Sequence, residues 1–595
     1  MIYYRVLFVV VRLNCTKAHH KKRERRMPEV HGYGNPTADI MIVGEAPGKT
    51  EEEQGRPFVG SSGYEMNNML AEAGISRDEC FVTNVSRLRP PYNKIENFFM
   101  TKTEAKKRGG IEWHGKYPDK PILQGLPALQ KEIEAVDPNV IIAYGATSLW
   151  ALTGLTGKTN KPAPTGIMTW RGSQLETLPE FGSRKVVPCV HPAAILRQWA
   201  NRHIGIYDLR RVAEAKNTKT WDYPKYDFHI RPSFTDVMLY FDSIQEAFAE
   251  GYHVKLACDI ETRLRHIACL GLANSARSAL CIPFMSTDNP SGYWSTTEES
   301  EIVWSLKDIL THPQTILIGQ NFDYDIQYMS REWGFAPLPA RDTMIYQHTL
   351  FPGLQKGLDY LSSVYCEFHQ YWKDEGKEWD PKLHDEERLW TYNCKDCVVT
   401  YEADEVLQKL IEMYKLEEQV DFQMSLIRPV LRAELRGTLM DNEAKRQAKS
   451  DMMEYMFDAT AFFEYILPEN IYRRKKTPWY DSPTQTAEVL YDVLMLPEQF
   501  AQRGKGKKTR TANDDALEAL GIIEPLIKPV TDRLRDYRSA KSLMSNFLNA
   551  PVEWDNRMRS SINICGTETF RKSSSRDVFG YGGNQQNLTS GSKES

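Results

Sequence analysis

The sequence predicts a multidomain α/β protein that ends in a mainly helical segment. Three observations point to it. Two stretches alternate short, wholly apolar runs with helix-length amphipathic runs, the pattern of parallel sheets covered by helices. From about residue 416 the short apolar runs give way to helical periodicity. A chain of 595 residues also exceeds one hydrophobic core, so about four domains, or three large ones, are expected.

Residues 1–26 read as a tail, and their run KKRERR at 21–26 is the kind of charge cluster that solvent usually covers. From residue 27 the α/β pattern begins. Residues 39–44 (DIMIVG) form a short apolar strand ending in glycine, 62–73 suit a helix, and 80–85, 139–145 and 185–190 are further buried strands. This first segment extends to residue 215. Residues 216–232 mix Lys, Asn, Asp, Pro and aromatics without a period, which reads as a linker. A second α/β segment covers 233–415, with strands at 253–260, 267–273, 279–283 and 315–319. The third, 416–595, contains RGKGKKTR at 503–510, five positive charges without an acid, and closes on small polar residues at 589–595.

Composition excludes several classes. With 41% apolar and 26% charged residues the chain is neither disordered, collagenous nor a small disulfide scaffold. Seventy-five basic against 79 acidic residues leave a net charge of −4, so nucleic acid would have to be met by local patches. Ten scattered cysteines fit reduced thiols of a cytoplasmic protein. The apolar run at 6–11 is too short for a bilayer span or a signal-peptide core, so no membrane association is expected.

The second segment gathers acids. Asp259 and Glu261 lie two apart on a strand and share a face. GQNFDYD at 319–325 brings Asp323 and Asp325 after another apolar strand. Tyr392 and Asp396 lie four apart in a helical stretch. Carboxylates so assembled repel unless cations neutralise them, and hard oxygen donors suit Mg²⁺ or Mn²⁺. Two such ions would stabilise attacking and leaving oxygens in phosphodiester hydrolysis, with Tyr392 orienting the water. Cys394 and Cys397 are formally CxxC, but a redox or zinc role needs a partner pair that is missing.

These motifs, with RDTM at 341–344, resemble the 3′–5′ exonuclease domain of family A DNA polymerases, the DEDD type with tyrosine. The resemblance covers 233–415 and implies an RNase H-like fold with Asp259, Glu261, Asp325 and Asp396 as metal ligands. The family spacing makes Asp323 a near miss.

In the first segment, GEAPG (44–48), GRPFVG (55–60), TNV (83–85), RPP (89–91) and HP (191–192) follow one another. Several sit at strand ends, where ligands of such sheets bind. Their residues suit cleavage of an N-glycosidic bond. Glu45 can hold a water and stabilise a cationic sugar. His191 can donate to the departing base anion. Asn84 offers a donor and an acceptor to read uracil, and Phe58 a face for stacking a base flipped out of the duplex.

These stretches resemble the uracil-DNA glycosylase superfamily, closest to its family 4, over residues 27–215. Carried over, Glu45 serves the water or transition state, Phe58 stacks, Asn84 recognises uracil and His191 assists the leaving group; Glu51 is a weaker candidate. The family holds an iron–sulfur cluster on four cysteines, but Leu88 stands where one would precede RPP, and no cysteine lies between 80 and 189. No cluster is therefore expected.

In the third segment ELRG (434–437) with Met440 and Asp441, SPTQ (482–485), Asp536 to Lys541, TETFR (567–571) and NQQN (584–587) resemble family A DNA polymerases from the thumb to the entry of the palm. The resemblance places Arg503, Lys505, Lys507, Lys508 and Arg510 near duplex phosphates. The family's palm carboxylates and fingers would follow Asn587, where eight residues remain, so polymerisation is not expected from this chain alone.

Together these readings describe a DNA replication and repair enzyme, of a kind fused in phage. It would be a metal-dependent 3′–5′ exonuclease with a uracil-DNA glycosylase-like domain, acting on primer–template, single-stranded 3′ ends and uracil-containing DNA. The alternative is a non-catalytic DNA-binding scaffold that recruits a separate palm-bearing polymerase chain.

Overall fold

A computed structural model describes residues 28–467, 477–503 and 507–587. The 1–26 tail, Lys505 and the 589–595 end lie outside them, as do the side chains of Arg503, Lys507 and Lys508. The chain divides into two compact units. One comprises the residues up to Lys225 together with Asp359–Glu378; the other comprises Tyr226–Leu358 and the chain from Trp379 onward.

The first unit is built on a six-stranded sheet. Its four central strands, Cys80–Asn84, Ile40–Gly44, Val140–Tyr144 and Lys185–Cys189, run parallel in that order. Their almost unbroken burial explains why they read as continuous apolar runs rather than alternating ones. The two-residue strands Tyr33–Gly34 and Leu175–Glu176 close the edges antiparallel. Helices Ser61–Glu72 and Arg202–Ala215 contribute Met66, Leu70, Leu209 and Val212 to the core of one face. Helix Lys120–Val136 contributes Ile122, Leu129 and Ile133 to the core of the other.

Asp359–Glu378 belongs to this unit, although the sequence pattern assigned it to the second segment. Gln174 N–H donates to the His369 carbonyl (2.7 Å) and His369 N–H to Gln174 Oε1 (2.9 Å). Arg211 donates to the Cys366 carbonyl at 2.8 Å. Such contacts join residues far apart in the chain and leave no periodic trace.

The second unit carries a mixed sheet in the order 341–342, 315–319, 254–263, 266–273, 278–283, 227–229. Val254–Arg263 pairs in parallel with Thr315–Gly319 and antiparallel with His266–Ala273. The supposed linker 216–232 therefore supplies an edge strand, Asp227–His229, parallel to Ser278–Pro283. Three residues are too few to display a period of two. Helix Glu386–Tyr414 covers one face through Trp390, Cys394, Cys397 and Val398. Helices Phe234–Ala249, Thr296–Leu310 and Asp323–Glu332 cover the other.

Beyond residue 416 the described chain is mainly helical. It includes Ile427–Arg436, Asn442–Ile466, Asp514–Ile523 and Lys528–Leu543, with a core around Phe463, Trp479, Leu517 and Leu534. The described ends of the basic run belong to two antiparallel strands, Phe500–Arg503 and Lys507–Arg510. Arg510 is not an unengaged cation: it pairs with Asp492 (2.6 Å) and Glu498 (3.5 Å) and lies over the Tyr491 ring. Among the described residues no helix is long and apolar enough to cross a membrane.

Candidate active sites

In the second unit, strand Val254–Arg263 presents Asp259 opposite Gly271 and Glu261 opposite Cys269, just before the pairing shifts. Helix Glu386–Tyr414 crosses this strand closely. A Cβ on Gly271 would lie 2.5 Å from Asn393 Oδ1 and 2.6 Å from Cys397 Sγ, so glycine lets the helix approach. Asp259, Glu261 and Asp396 then bring one carboxylate oxygen each within 4.8 Å of one another. Asp325 is adjacent rather than in that trio, its Oδ1 accepting the Ile260 N–H at 2.9 Å. Burial, then the nearby Asp259, pushes its carboxyl well above the usual range. Burial and the surrounding acids also raise the Tyr392 phenol, which therefore keeps its proton at neutral pH.

Two residues of this site escaped the sequence reading as individual functional positions. Asn393, fully buried, donates from Nδ2 to Asp259 Oδ2 at 2.9 Å and to the Asp259 carbonyl at 3.1 Å. Asp342 accepts N–H groups of Asn321 (3.2 Å) and Phe322 (2.9 Å) and so holds the turn that launches the Asp325 helix. Asp342 lies within the RDTM motif and Asn393 between Tyr392 and Asp396, so the motifs contained both residues without giving either a role. Asp323 faces elsewhere, accepting from Gln327 at 2.9 Å and lying close enough to Glu434 to help raise that acid to about 9, after burial. Cys394 and Cys397 are buried in an apolar cluster, where burial raises the Cys397 thiol well above its usual range.

In the first unit the candidates collect at the carboxyl ends of the parallel strands. Asn84 ends its strand opposite Gly44. A Cβ on Gly44 would lie 2.3 Å from Asn84 Oδ1 and 2.7 Å from the Phe58 ring, so these two side chains meet over that glycine. Phe58 is held at φ +53°, and its ring stacks on His191 at 5.6 Å and 25°. Tyr144 closes the group 6.0 Å from Phe58; the sequence showed it only as the end of an apolar strand. Glu45 accepts the Thr147 N–H at 3.1 Å, and burial raises its carboxyl.

His191 Nδ1 accepts the Ala193 N–H at 3.1 Å. Burial, with Arg197 nearby, lowers its pKa to about 4. The imidazole is therefore neutral at pH 7 with its proton on Nε2. Glu51, in the short helix Lys49–Gln54, caps that helix by accepting the Gly48 N–H and is buried, its carboxyl raised by that burial.

A family model for the uracil DNA glycosylase superfamily matches residues 31–212. The type-4 uracil-DNA glycosylase of Thermotoga maritima is 33% identical over 185 residues, covering 31% of this chain and 80% of the relative. The chain belongs to the uracil-DNA glycosylase superfamily. A second model, described as 3′-5′ exonuclease, matches residues 249–412. Over 91% of its length the chain also aligns with the DNA polymerase of Bacillus phage SP01, at 24% identity, spanning 62% of that protein. A solved structure, the POL domain of Pol1 from M. smegmatis in complex with DNA primer-template and dNTP, aligns over 59% of this chain and 55% of its own at 17% identity, with a TM-score of 0.44. Glycosylase and exonuclease domains are thus fused in a DNA polymerase-like protein of DNA replication and repair.

Two inorganic groups are implied by these families. The exonuclease acids suit a divalent ion: the donors are carboxylate oxygens and their convergence calls for a countercharge. The glycosylase residues do not suit an iron–sulfur cluster. Leu88 packs into the apolar cluster of Val85 and Phe98. Within 31–212 the cysteines are Cys80 and Cys189, both buried in the sheet core; burial raises the Cys80 thiol to about 12, which opposes thiolate ligation.

Proposed function

We propose that this glycosylase-superfamily protein hydrolyses DNA stepwise from 3′ ends and excises uracil, using two separate sites. The observation that carries the first activity is the trio Asp259, Glu261 and Asp396, three carboxylates within 4.8 Å. With Asp325 they would hold two ions, Mg²⁺ or Mn²⁺. When bound, such ions supply positive charge where phosphoryl oxygens become more negative. The protein's own groups do the rest. Asn393 holds Asp259 in place. The neutral Tyr392 hydroxyl orients a water for in-line attack on the terminal phosphodiester; a bond from the water oxygen to phosphorus forms as the bond to the 3′ oxygen breaks.

Uracil excision draws on Glu45, Phe58, Asn84 and His191. Phe58 stacks the flipped base, and Asn84 pairs with its amide edge. As the glycosidic bond breaks, its electron pair moves to uracil, and the neutral His191 donates a hydrogen bond from Nε2–H to the oxygen that gains charge. Glu45 faces the sugar cation, positions a water for C1′ and takes the proton that water loses. Its raised pKa makes it a better base than a solvated carboxylate.

The test uses the full chain with a 3′-labelled strand and, separately, a uracil-containing strand followed by alkali. Asp259→Ala with Glu261→Ala removes only the stepwise shortening, and Asn84→Ala only the alkali-labile site. A double carboxylate variant that still degrades the strand overturns the metal assignment. Formation of neither product by the native protein favours the scaffold.

A further inference from the structure

A cavity of about 450 Å³ lies in the second unit, walled by the first half of helix Thr296–Leu310, the loop before it and the end of helix Asp323–Glu332. Asp259, Glu261, Asp325, Tyr392 and Asp396 are absent from its lining. Three tryptophans face it: Trp294, Trp304 and Trp333. Trp304 is 63% exposed, a high value for an indole. Trp294 is 93% buried by contrast, at 7% exposure, yet its indole N–H has no hydrogen-bond acceptor. A buried indole N–H normally finds one.

Two carboxylates, Glu299 and Glu332, line the same space. Glu299 is pushed up by burial and by the negative charge of Glu332. Glu332 accepts the Ile267 N–H (3.1 Å) through one oxygen and faces the imidazole of His266 (3.3 Å) through the other. The helix forming the wall carries Glu298, Glu299, Glu301 and Asp308 against a single Lys307, and Lys307 already lies over the Trp304 ring at 4.4 Å. Of the charged side chains, Glu299, Glu332 and Lys307 line the space together with the three indoles.

Aromatic faces beside a desolvated acid are the chemistry of cation recognition: the ring quadrupole and the carboxylate attract the same charge. An arginine satisfies both, because its guanidinium stacks on indole and forks onto a carboxylate. A peptide carbonyl next to that arginine would accept the orphan Trp294 N–H. A nucleic-acid strand fits less well, because its phosphates would meet the acidic helix.

We propose that this cavity is a docking site for an arginine-bearing segment of a protein partner, with the guanidinium between Trp304 and Glu299 and a backbone carbonyl on Trp294 Nε1. The site stands apart from both catalytic readings, so its test does not depend on them.

The test measures fluorescence anisotropy of a fluorescein-labelled Gly-Arg-Gly-Arg-Gly peptide on the full-length protein. The controls are the same peptide with citrulline for arginine, and labelled oligo-dT. Saturable binding of the arginine peptide is expected, weakened about tenfold or more by citrulline, by Trp304→Ala and by Glu299→Gln. Trp294→Phe keeps the ring and removes the N–H, and is expected to weaken binding less. Trp304 is mostly exposed, so its replacement leaves folding, strand shortening and uracil excision unchanged. Non-saturable binding, equal binding of the citrulline peptide, or indifference to both Trp304→Ala and Glu299→Gln overturns the proposal. So does loss of oligo-dT binding on Trp304→Ala without arginine-peptide binding, which would make this a base-stacking site.

Discussion

Asp325 Oδ1 accepts the backbone N–H of Ile260, the residue between Asp259 and Glu261, at 2.9 Å. One carboxylate thus anchors the strand that presents two others. Its raised pKa means that, without a bound cation, its charge destabilises the fold as pH rises above its ordinary value of 3.8. Asp325→Asn retains an acceptor for Ile260 and removes that charge. We expect 3′-end hydrolysis to fall by about 10²-fold or more, while the melting temperature of the chelated protein holds or rises. An Asp325→Asn protein that shortens DNA at the native rate would remove Asp325 from the site.

Chelation separates the two activities. EDTA is expected to stop strand shortening and leave uracil excision intact, because the acids that call for divalent ions belong to the exonuclease. Added Mg²⁺ or Mn²⁺ restores the first reaction. Gel analysis of both substrates in one tube reads this directly.

The depressed pKa of His191 makes a two-part pH prediction. Below its ordinary 6.5 and down to about 4, the unfolded chain binds a proton that the folded chain excludes. The contribution of this group therefore falls as the medium is acidified through that window, by up to about 1.4 kcal/mol per pH unit. His191→Gln is expected to flatten that part of the stability profile of the glycosylase unit and to slow excision by about 10²-fold. In the native protein no rate limb near pH 6.5 belongs to His191. A limb there that disappears in His191→Gln would mean that an imidazolium, not a neutral ring, does the work.

Arg77 clamps the stacking residue. It donates to the carbonyls of Pro57 (3.0 Å) and Phe58 (3.2 Å), across the turn where Phe58 adopts positive φ. Side chains rarely adopt that backbone unaided. Arg77→Met should lower stability by about 1–3 kcal/mol and weaken uracil excision, with partial recovery in Arg77→Lys. Unchanged kcat and KM in Arg77→Met would show that Phe58 needs no clamp.

Arg171 and Asp208 form a buried pair: Arg171 Nε lies 2.9 Å from Asp208 Oδ2, and Arg171 also donates to Ser363 Oγ at 2.7 Å. Asp208→Ala leaves a buried guanidinium without its countercharge, at a cost of about 3–5 kcal/mol. Urea denaturation of the variant measures it. Ser363→Ala, expected to cost about 1 kcal/mol, checks that Asp359–Glu378 folds with the glycosylase residues.

Much of the fold is legible in the amino-acid sequence. The strands at 40–44, 80–84, 140–144, 185–189 and 315–319 are buried on both faces, and burial writes itself as an apolar run. Edge strands such as Tyr33–Gly34 and Asp227–His229 were not, because a strand of two or three residues held by backbone bonds needs no side-chain pattern. The candidate residues were legible as types at strand ends and helix spacings. The supporting roles of Asn393, Asp342 and Arg77 were not, because a hydrogen bond across 20 to 134 positions has no local signature.

Local spacing decided which side chains share a face: Asp259 with Glu261 on a strand, Tyr392 with Asp396 on a helix. It could not decide that these two faces meet. That depends on Gly271, whose missing Cβ lets the helix settle against the strand, and on the turn held by Asp342, which delivers Asp325 beside them. Periodicity is a property of neighbours along the chain; a common site is a property of surfaces that touch, and contact is settled by packing.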